Sequence, residues 1–326
     1  MLLDIIVPHA KEPWEVVRPF FDVINSQKGI DFNDFRVLLV HDGVAPFPER
    51  YFDGPAHVEQ MVVMKGGVSS ARNWGLEHAK ATWVNFSDCG DCYSSIFSLL
   101  MIFNVLKDEK AKELYDVMWA PFYMSGGNNL AEFKNFNAVF IHNKYYNREF
   151  LMKKGIRFCE RLYMSEDSAF NQLVRMETVD TRFGKIDTPY PMYSWCRREG
   201  SITMTKGNWL KITEGHFDRN VYVAEEYLKH GDKRRAILVV CRTLTDVYVM
   251  TNKAVVEFVP AHILKKAREF YNEYKYIYDN ATKEEFNKAF GYSDSEFLTT
   301  KEEKENRIPY DEWFNKYIKT EEKHDL

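Results

Sequence analysis

Hydrophobic residues along the chain follow two different periods. Up to about residue 90 they come in short runs closed by turn residues. After about residue 206 they recur at helical spacing. "LLDIIVP" (residues 2–8) is an apolar run ending at Pro8, the pattern of a buried parallel strand. "EPWEVVRPFFDVINSQ" follows with Trp14, Val17, Phe20 or Phe21 and Ile24 on one helical face. "FRVLLVHDG" predicts a second buried strand stopped at Asp42-Gly43, and "HVEQMVVMKGG" a third. "SSARNWGLEHAK" predicts a helix entered after two glycines, with serines suited to its N-cap. "ATWVNFSD" predicts a fourth strand. This alternation implies an α/β fold with parallel strands. Ligands of such sheets bind outside the strands' carboxyl ends, where Asp42 and Asp88 both fall.

Further on, "SSIFSLLMIFNVLKDEKAKELY" predicts one helix and "YDVMWAPFYM" one strand. "SGGNNLAEFKN" reads as a polar loop, and "FNAVFIHNKYYNREFLMKKG" passes from strand into helix. "SEDSAFNQLVRME" predicts an amphipathic helix that opens with two acids, which suits its positive end. "TRFGKIDTPYPMYSWCRREGSIT" reads as a strand or hairpin with turns. Strand signals then largely stop. "NVYVAEEYLKHGDKRRAILVVCRTLTDVYVM", "PAHILKKAREFYNEYKYIYDN" and "KEEFNKAFGY" are helical in period. The expected division is therefore an α/β domain over 1–205 and a helical subdomain over 206–326. The rings of "REFYNEYKYIYDN" would pack back on the α/β domain, or else shape acceptor choice or a homodimer.

Composition narrows the possibilities. The chain has 326 residues, a formal net charge of -4 and 45% apolar residues, so it is globular, with no broad basic footprint for nucleic acid. No apolar run approaches the roughly 20 residues of a membrane span. "MLLDIIVP" lacks the basic start of a signal peptide and reads as a strand. The five scattered cysteines fit reduced thiols, and hence a cytoplasmic location.

The densest chemistry lies in "NFSDCGDCYS" (85–94). Asp88 and Asp91 could be turn and capping residues, or carboxylates for a metal. Cys89 and Cys92 form a Cys-x-x-C after a strand, the arrangement of a thiol redox site. A zinc site would need two more close ligands, and the nearest histidine, His78, has no partner. Other candidates are Arg72 and Asn73 at a helix start, Glu166 and Asp167 at another, and Arg197 and Arg198 in "WCRREGSIT".

In their order and intervals these blocks resemble the family 2 glycosyltransferases of the GT-A fold. The resemblance runs from "LLDIIVPHAKEP" through "VLLVHDG", "GGVSSARNWGLEHAKATWVNFSDCGD" and "VFIHNKYYNREFLMKKGIRFCERLYMSEDSAF" to "MYSWCRREGSIT", about residues 1–205. It implies a mostly parallel mixed sheet flanked by helices, with a nucleotide-sugar half over 1–95 and an acceptor half over 96–205. Pro8 and Asp42 would border the base and ribose, and Arg72 the nucleotide or diphosphate. Asp88 and Asp91 would hold Mn²⁺ or Mg²⁺ on the diphosphate of the donor sugar. Asp167, supported by Glu166, would deprotonate a hydroxyl of a glycan, lipid, protein or modified nucleic acid, giving transfer with inversion. Arg197 or Arg198 would lie by the diphosphate. The chain departs from the family at two places. His41-Asp42 stands where paired acids are usual, and Gly90 stands where the commonest metal-ligating aspartate would be. Either Asp91 takes over, or metal binding is weak, or it is lost. In the last case the fold would serve as a catalytically silent sugar-nucleotide or glycan-binding module.

Overall fold

A computed structural model describes residues 1–126, 129–133, 135–137, 139–197, 209–252, 261–296 and 299–319. The chain divides into two compact units, Met1–Trp209 and Leu210–Leu326.

The first unit opens with β1 (Leu3–His9), α1 (Trp14–Asn25), β2 (Phe35–Asp42) and β3 (His57–Val63). It continues through α2 (Val68–His78), β4 (Trp83–Phe86) and the two-residue β5 (Cys92–Tyr93). β1 and β2 are buried along their whole length, as their apolar runs require. β1 pairs in parallel with β2 and β4, and β2 with β3. Gly75 lets α2 lie close on this sheet, since a Cβ there would come within 2.5 Å of Ile6 Cγ2.

Next come α3 (Ser98–Leu106), α4 (Glu109–Leu114), β6 (Val117–Trp119), β7 (Phe122–Gly126) and β8 (Asn129–Phe133). β9 (Lys144–Asn147), α5 (Arg148–Lys153), α6 (Glu166–Glu177), β10 (Phe183–Lys185) and β11 (Tyr193–Cys196) complete the sheets. The larger sheet has the order β10-β6-β9-β4-β1-β2-β3, with β9 antiparallel to both neighbours. The smaller sheet has the order β5-β11-β7-β8.

Three local expectations change. The single helix over 94–115 is two, because the Asp108 side chain caps a new one by accepting from Lys110 N. The strand over 115–124 is also two, in different sheets, divided at Ala120-Pro121 where proline offers no backbone donor. The polar loop after it contains β8, which pairs with β7 as Phe122 and Phe133 stack at 4.8 Å.

The second unit holds α7 from Leu210 onward (Trp209–Lys229), α8 (Lys233–Thr251), α9 (Ala261–Tyr278), α10 (Lys283–Glu296), α11 (Lys301–Glu305) and α12 (Tyr310–Tyr317). The helical stretch over 220–250 breaks at Gly231, whose φ of 75° ends α7, and Asp232, which caps α8. The α9 rings find partners inside their own unit: Tyr271 meets Phe314, Tyr278 stacks on Phe314, and Phe270 meets Phe217. Among the described residues no helix is long and apolar enough to cross a membrane.

Candidate active site

The carboxyl ends of β1, β2 and β4 carry Pro8, Asp42 and Asp88 on one edge of the larger sheet. Asp42 is buried and ties down the next turn, accepting from Gly66 N at 2.7 Å and Gly67 N at 3.0 Å. Gly67, at φ 88°, is the N-cap of α2 in place of the expected serines. Beside Asp42, His41 Nδ1 lies 2.8 Å from His9 Nδ1, and its Nε2 lies 3.0 Å from Gln60 Oε1. Burial pushes the His41 pKa down to about 4, with Gln60 opposing and His9 assisting. A neutral imidazole thus occupies the position where an acid was the family's expectation.

Arg72 is the hub of the site. It projects from α2 and is 2% exposed. One terminal nitrogen donates to Asp88 Oδ1 at 2.8 Å. The other donates to Glu166 Oε1 at 2.9 Å and Asp167 Oδ1 at 2.7 Å. Its guanidinium also lies 5.1 Å from the centre of the Phe158 ring. The adjacent Asn73 exchanges hydrogen bonds with Phe158 N and O and donates to Glu160. Two neighbouring residues of one helix thereby hold the loop after β4 and the entry to α6. Burial disfavours the Arg72 charge, but Asp167, Asp88 and Glu166 outweigh it and hold the pKa above its ordinary value. Burial also lifts the Asp167 carboxyl well above its usual range; Arg72 opposes this, and Glu166 and Asp88 reinforce it.

Asp91 lies deeper in the site, 3% exposed. Its Oδ1 accepts from Cys196 N at 2.9 Å and its Oδ2 from Tyr193 OH at 2.8 Å, which fixes it to β11. Burial, then Asp88, raises its pKa. His142 Nδ1 lies 3.6 Å from Asp91 Oδ2, is buried and makes no hydrogen bond. Ligand atoms of Asp88, Asp91 and His142 all fall within 4.8 Å of one another. Two carboxylates and an unsatisfied imidazole nitrogen at this separation fit a divalent cation. Sequence reasoning passed over His142, which lies more than fifty positions from Asp88. The only signal was a polar His-Asn pair at the end of "AVFI".

Arg197 directly follows Cys196, its backbone N donating to Ser125 O at 2.7 Å and its guanidinium contacting Met124 Sδ at 3.6 Å. Arg198 lies outside the described residues. The two thiols of the Cys-x-x-C take different surroundings. Cys89 packs into the main core, while Cys92 Sγ meets Cys196 Sγ at 3.9 Å. The contact with Cys196, burial and Asp91 keep the Cys92 thiol protonated, which disfavours a redox role.

No family model matches the chain. An uncharacterized glycosyltransferase of Bacillus subtilis (strain 168), EpsJ, is 25% identical over 198 residues, which is 52% of this chain. The match spans 55% of that relative's length, about half. Among solved structures, S. aureus TarS 1-349 in complex with UDP-GlcNAc is 16% identical, with a TM-score of 0.54 over 91% of this chain and 81% of that one. The same protein in complex with UDP gives 14% identity and a TM-score of 0.56 over 92% and 93%. The mannosyltransferase PcManGT from Pyrobaculum calidifontis, in complex with GDP-Man and Mn²⁺, gives 12% and 0.50 over 93% and 82%.

Proposed function

We propose, on the premise of this GT-A-like glycosyltransferase fold, that the protein transfers a sugar from a nucleotide-diphosphate donor to a hydroxyl acceptor with inversion. The observation that carries the reading is Arg72. This one cation bonds both the acid after β4 and the acid pair opening α6, the two groups that transfer chemistry must bring together. Solved neighbours of the same fold are bound to UDP-GlcNAc, UDP or GDP-Man, which supports a nucleotide-sugar donor here.

In the proposed reaction the Asp167 carboxylate takes the proton of the acceptor hydroxyl. That oxygen forms its bond to the anomeric carbon from one face, and the bond to the diphosphate oxygen breaks on the other. The released electron pair stays on the departing diphosphate. A base in contact with the hydroxyl contributes on the order of 10²–10⁴-fold. Glu166 shares an Arg72 nitrogen with Asp167 and so orients it. Asp88 and Asp91 would hold a divalent cation. When bound, that cation would supply positive charge where the leaving diphosphate gathers negative charge. Asp42 and Pro8 would border the base and ribose, and Arg197 would lie by the diphosphate.

A screen for nucleotide release over UDP-, GDP- and dTDP-sugars, with Mn²⁺ or Mg²⁺ and a range of hydroxyl acceptors, tests the reading. One donor class should be consumed, faster with its acceptor present. Tight nucleotide binding with no donor turned over would overturn catalysis and leave a binding module.

A further inference from the structure

We propose that His142 is a direct nitrogen ligand of the divalent cation, replacing the carboxylate that Gly90 lacks, and that the site therefore selects Mn²⁺ over Mg²⁺. The inference rests on the reading above only in requiring a cation at Asp88 and Asp91.

The first support is an unpaid hydrogen-bonding need. His142 is 4% exposed, and its Nδ1 has no hydrogen-bond partner. At 3.6 Å the approach to Asp91 Oδ2 is too long for a hydrogen bond, yet it suits two atoms bound side by side on one metal. A buried polar nitrogen without a partner is costly, and a metal ion would remove that cost.

The second support is that the ring is held in place. Trp195 stacks on it with centroids 5.0 Å apart and planes at 22°, and Tyr193 at 5.9 Å and 20°. Phe140 stacks at 5.7 Å. Asn143, next in the chain, adopts a left-handed φ of 51° that few residues other than glycine tolerate. Its side chain donates to Pro121 O and accepts from Tyr145 OH, both at 2.7 Å, which secures the turn. Backbone and side chain together aim the imidazole at Asp91.

The third support is the ligand chemistry. The donor set would be two carboxylates and one imidazole nitrogen, with ligand atoms within 4.8 Å of one another. Mg²⁺ prefers oxygen ligands only, whereas Mn²⁺ accepts an imidazole nitrogen more readily.

The full chain, stripped of metal with a chelator, is titrated with Mn²⁺ in the presence of UDP and followed by electron paramagnetic resonance. Pulsed measurement should then reveal a directly coordinated ¹⁴N, altered when the protein is labelled with ¹⁵N-histidine. This measurement needs no variant. In His142→Gln the nitrogen signal should vanish and Mn²⁺ affinity should fall by roughly tenfold or more. Mg²⁺ affinity, read by competition, should change only a few-fold, so the preference collapses. Mn²⁺ bound without nitrogen coupling, or an unchanged preference in His142→Gln, would overturn the role of His142 and leave the metal at Asp88 and Asp91 standing. UDP binding with no affinity for any cation would remove the metal from both readings.

Discussion

Two buried arginines in the first unit each collect carboxylates, at opposite ends of the same strands, and the balance differs. Near the amino ends of β1 and β2, Arg36 bonds Asp4, Glu59 and the carbonyl of His78. Asp4 accepts in addition from Lys80 N and Ala81 N, so the pair is hydrogen-bonded on every side. At the carboxyl ends, Arg72 faces Asp88, Glu166 and Asp167, with Asp91 just beyond. Lys144 also acts on Asp167. Arg36 builds a structural knot whose acid is satisfied by backbone donors. The Arg72 cluster instead gathers acids from separate segments. Two of them, Asp91 and Asp167, are pushed up in pKa by burial, the kind of environment in which functional groups often lie.

The sharpest way to break this distinction is to remove each arginine. Arg36→Met should destabilise the fold by about 3–5 kcal/mol in urea titrations, because Asp4 loses its buried counter-charge, and Mn²⁺ should not restore it. Arg72→Met should also destabilise, but Mn²⁺ with UDP should recover part of the loss. Equal rescue of both variants would erase the contrast. Next in size, Asp167→Asn should lower turnover by roughly 10²-fold or more while nucleotide affinity, by calorimetry, stays near the parent's. Near-normal turnover would remove Asp167 from the mechanism.

Asp91→Asn should weaken Mn²⁺-dependent nucleotide binding by about 1.5–3 kcal/mol, roughly tenfold to a hundredfold, with Asp88→Asn equal or smaller. Full activity in EDTA would sink the metal assignment. The pH profile gives a subtler test. Since the raised Asp167 pKa leaves the basic form present only above it, turnover should fall as pH drops through that value. Glu166→Gln removes a negative neighbour, so it should lower that pKa and move the acid limb to lower pH. An unmoved limb would separate the two acids. Smallest of all, replacing Cys89 and Cys92 with serine should leave activity within a few-fold, and a dead double variant would revive thiol chemistry.

How much of this was legible in the sequence depended on whether a residue's partners lay nearby. Pro8, Asp42 and Asp88 could be placed at strand ends because each closes an apolar run. Glu166 and Asp167 stood out at the start of an amphipathic helix. What could not be read was the convergence. Nothing in "GGVSSARNWG" says that Arg72 joins acids from two other segments while Asn73 grips a third. His142 was hidden for the same reason, as was the strand in "NNLAEF", whose partner is β7 and whose own pattern is polar. The helix break at Asp108 was legible in principle, but the apolar run before it masked the cap.

The hub at Arg72 also governs how the molecule comes into being. Its bonds to Glu166 and Asp167 span 94 and 95 positions of chain. Closing a loop of that length costs about 4 kcal/mol in chain entropy before any contact rewards it. During synthesis the strands β1 to β4 can assemble while α6 is still unmade, so Arg72 is in place before the two acids of α6 that it bonds. Until residue 167 has emerged, Arg72 is a cation without two of its three partners. A nascent chain paused before that point would carry the first strands with Arg72 still lacking its partners on α6, open to proteases and chaperones where those acids will dock.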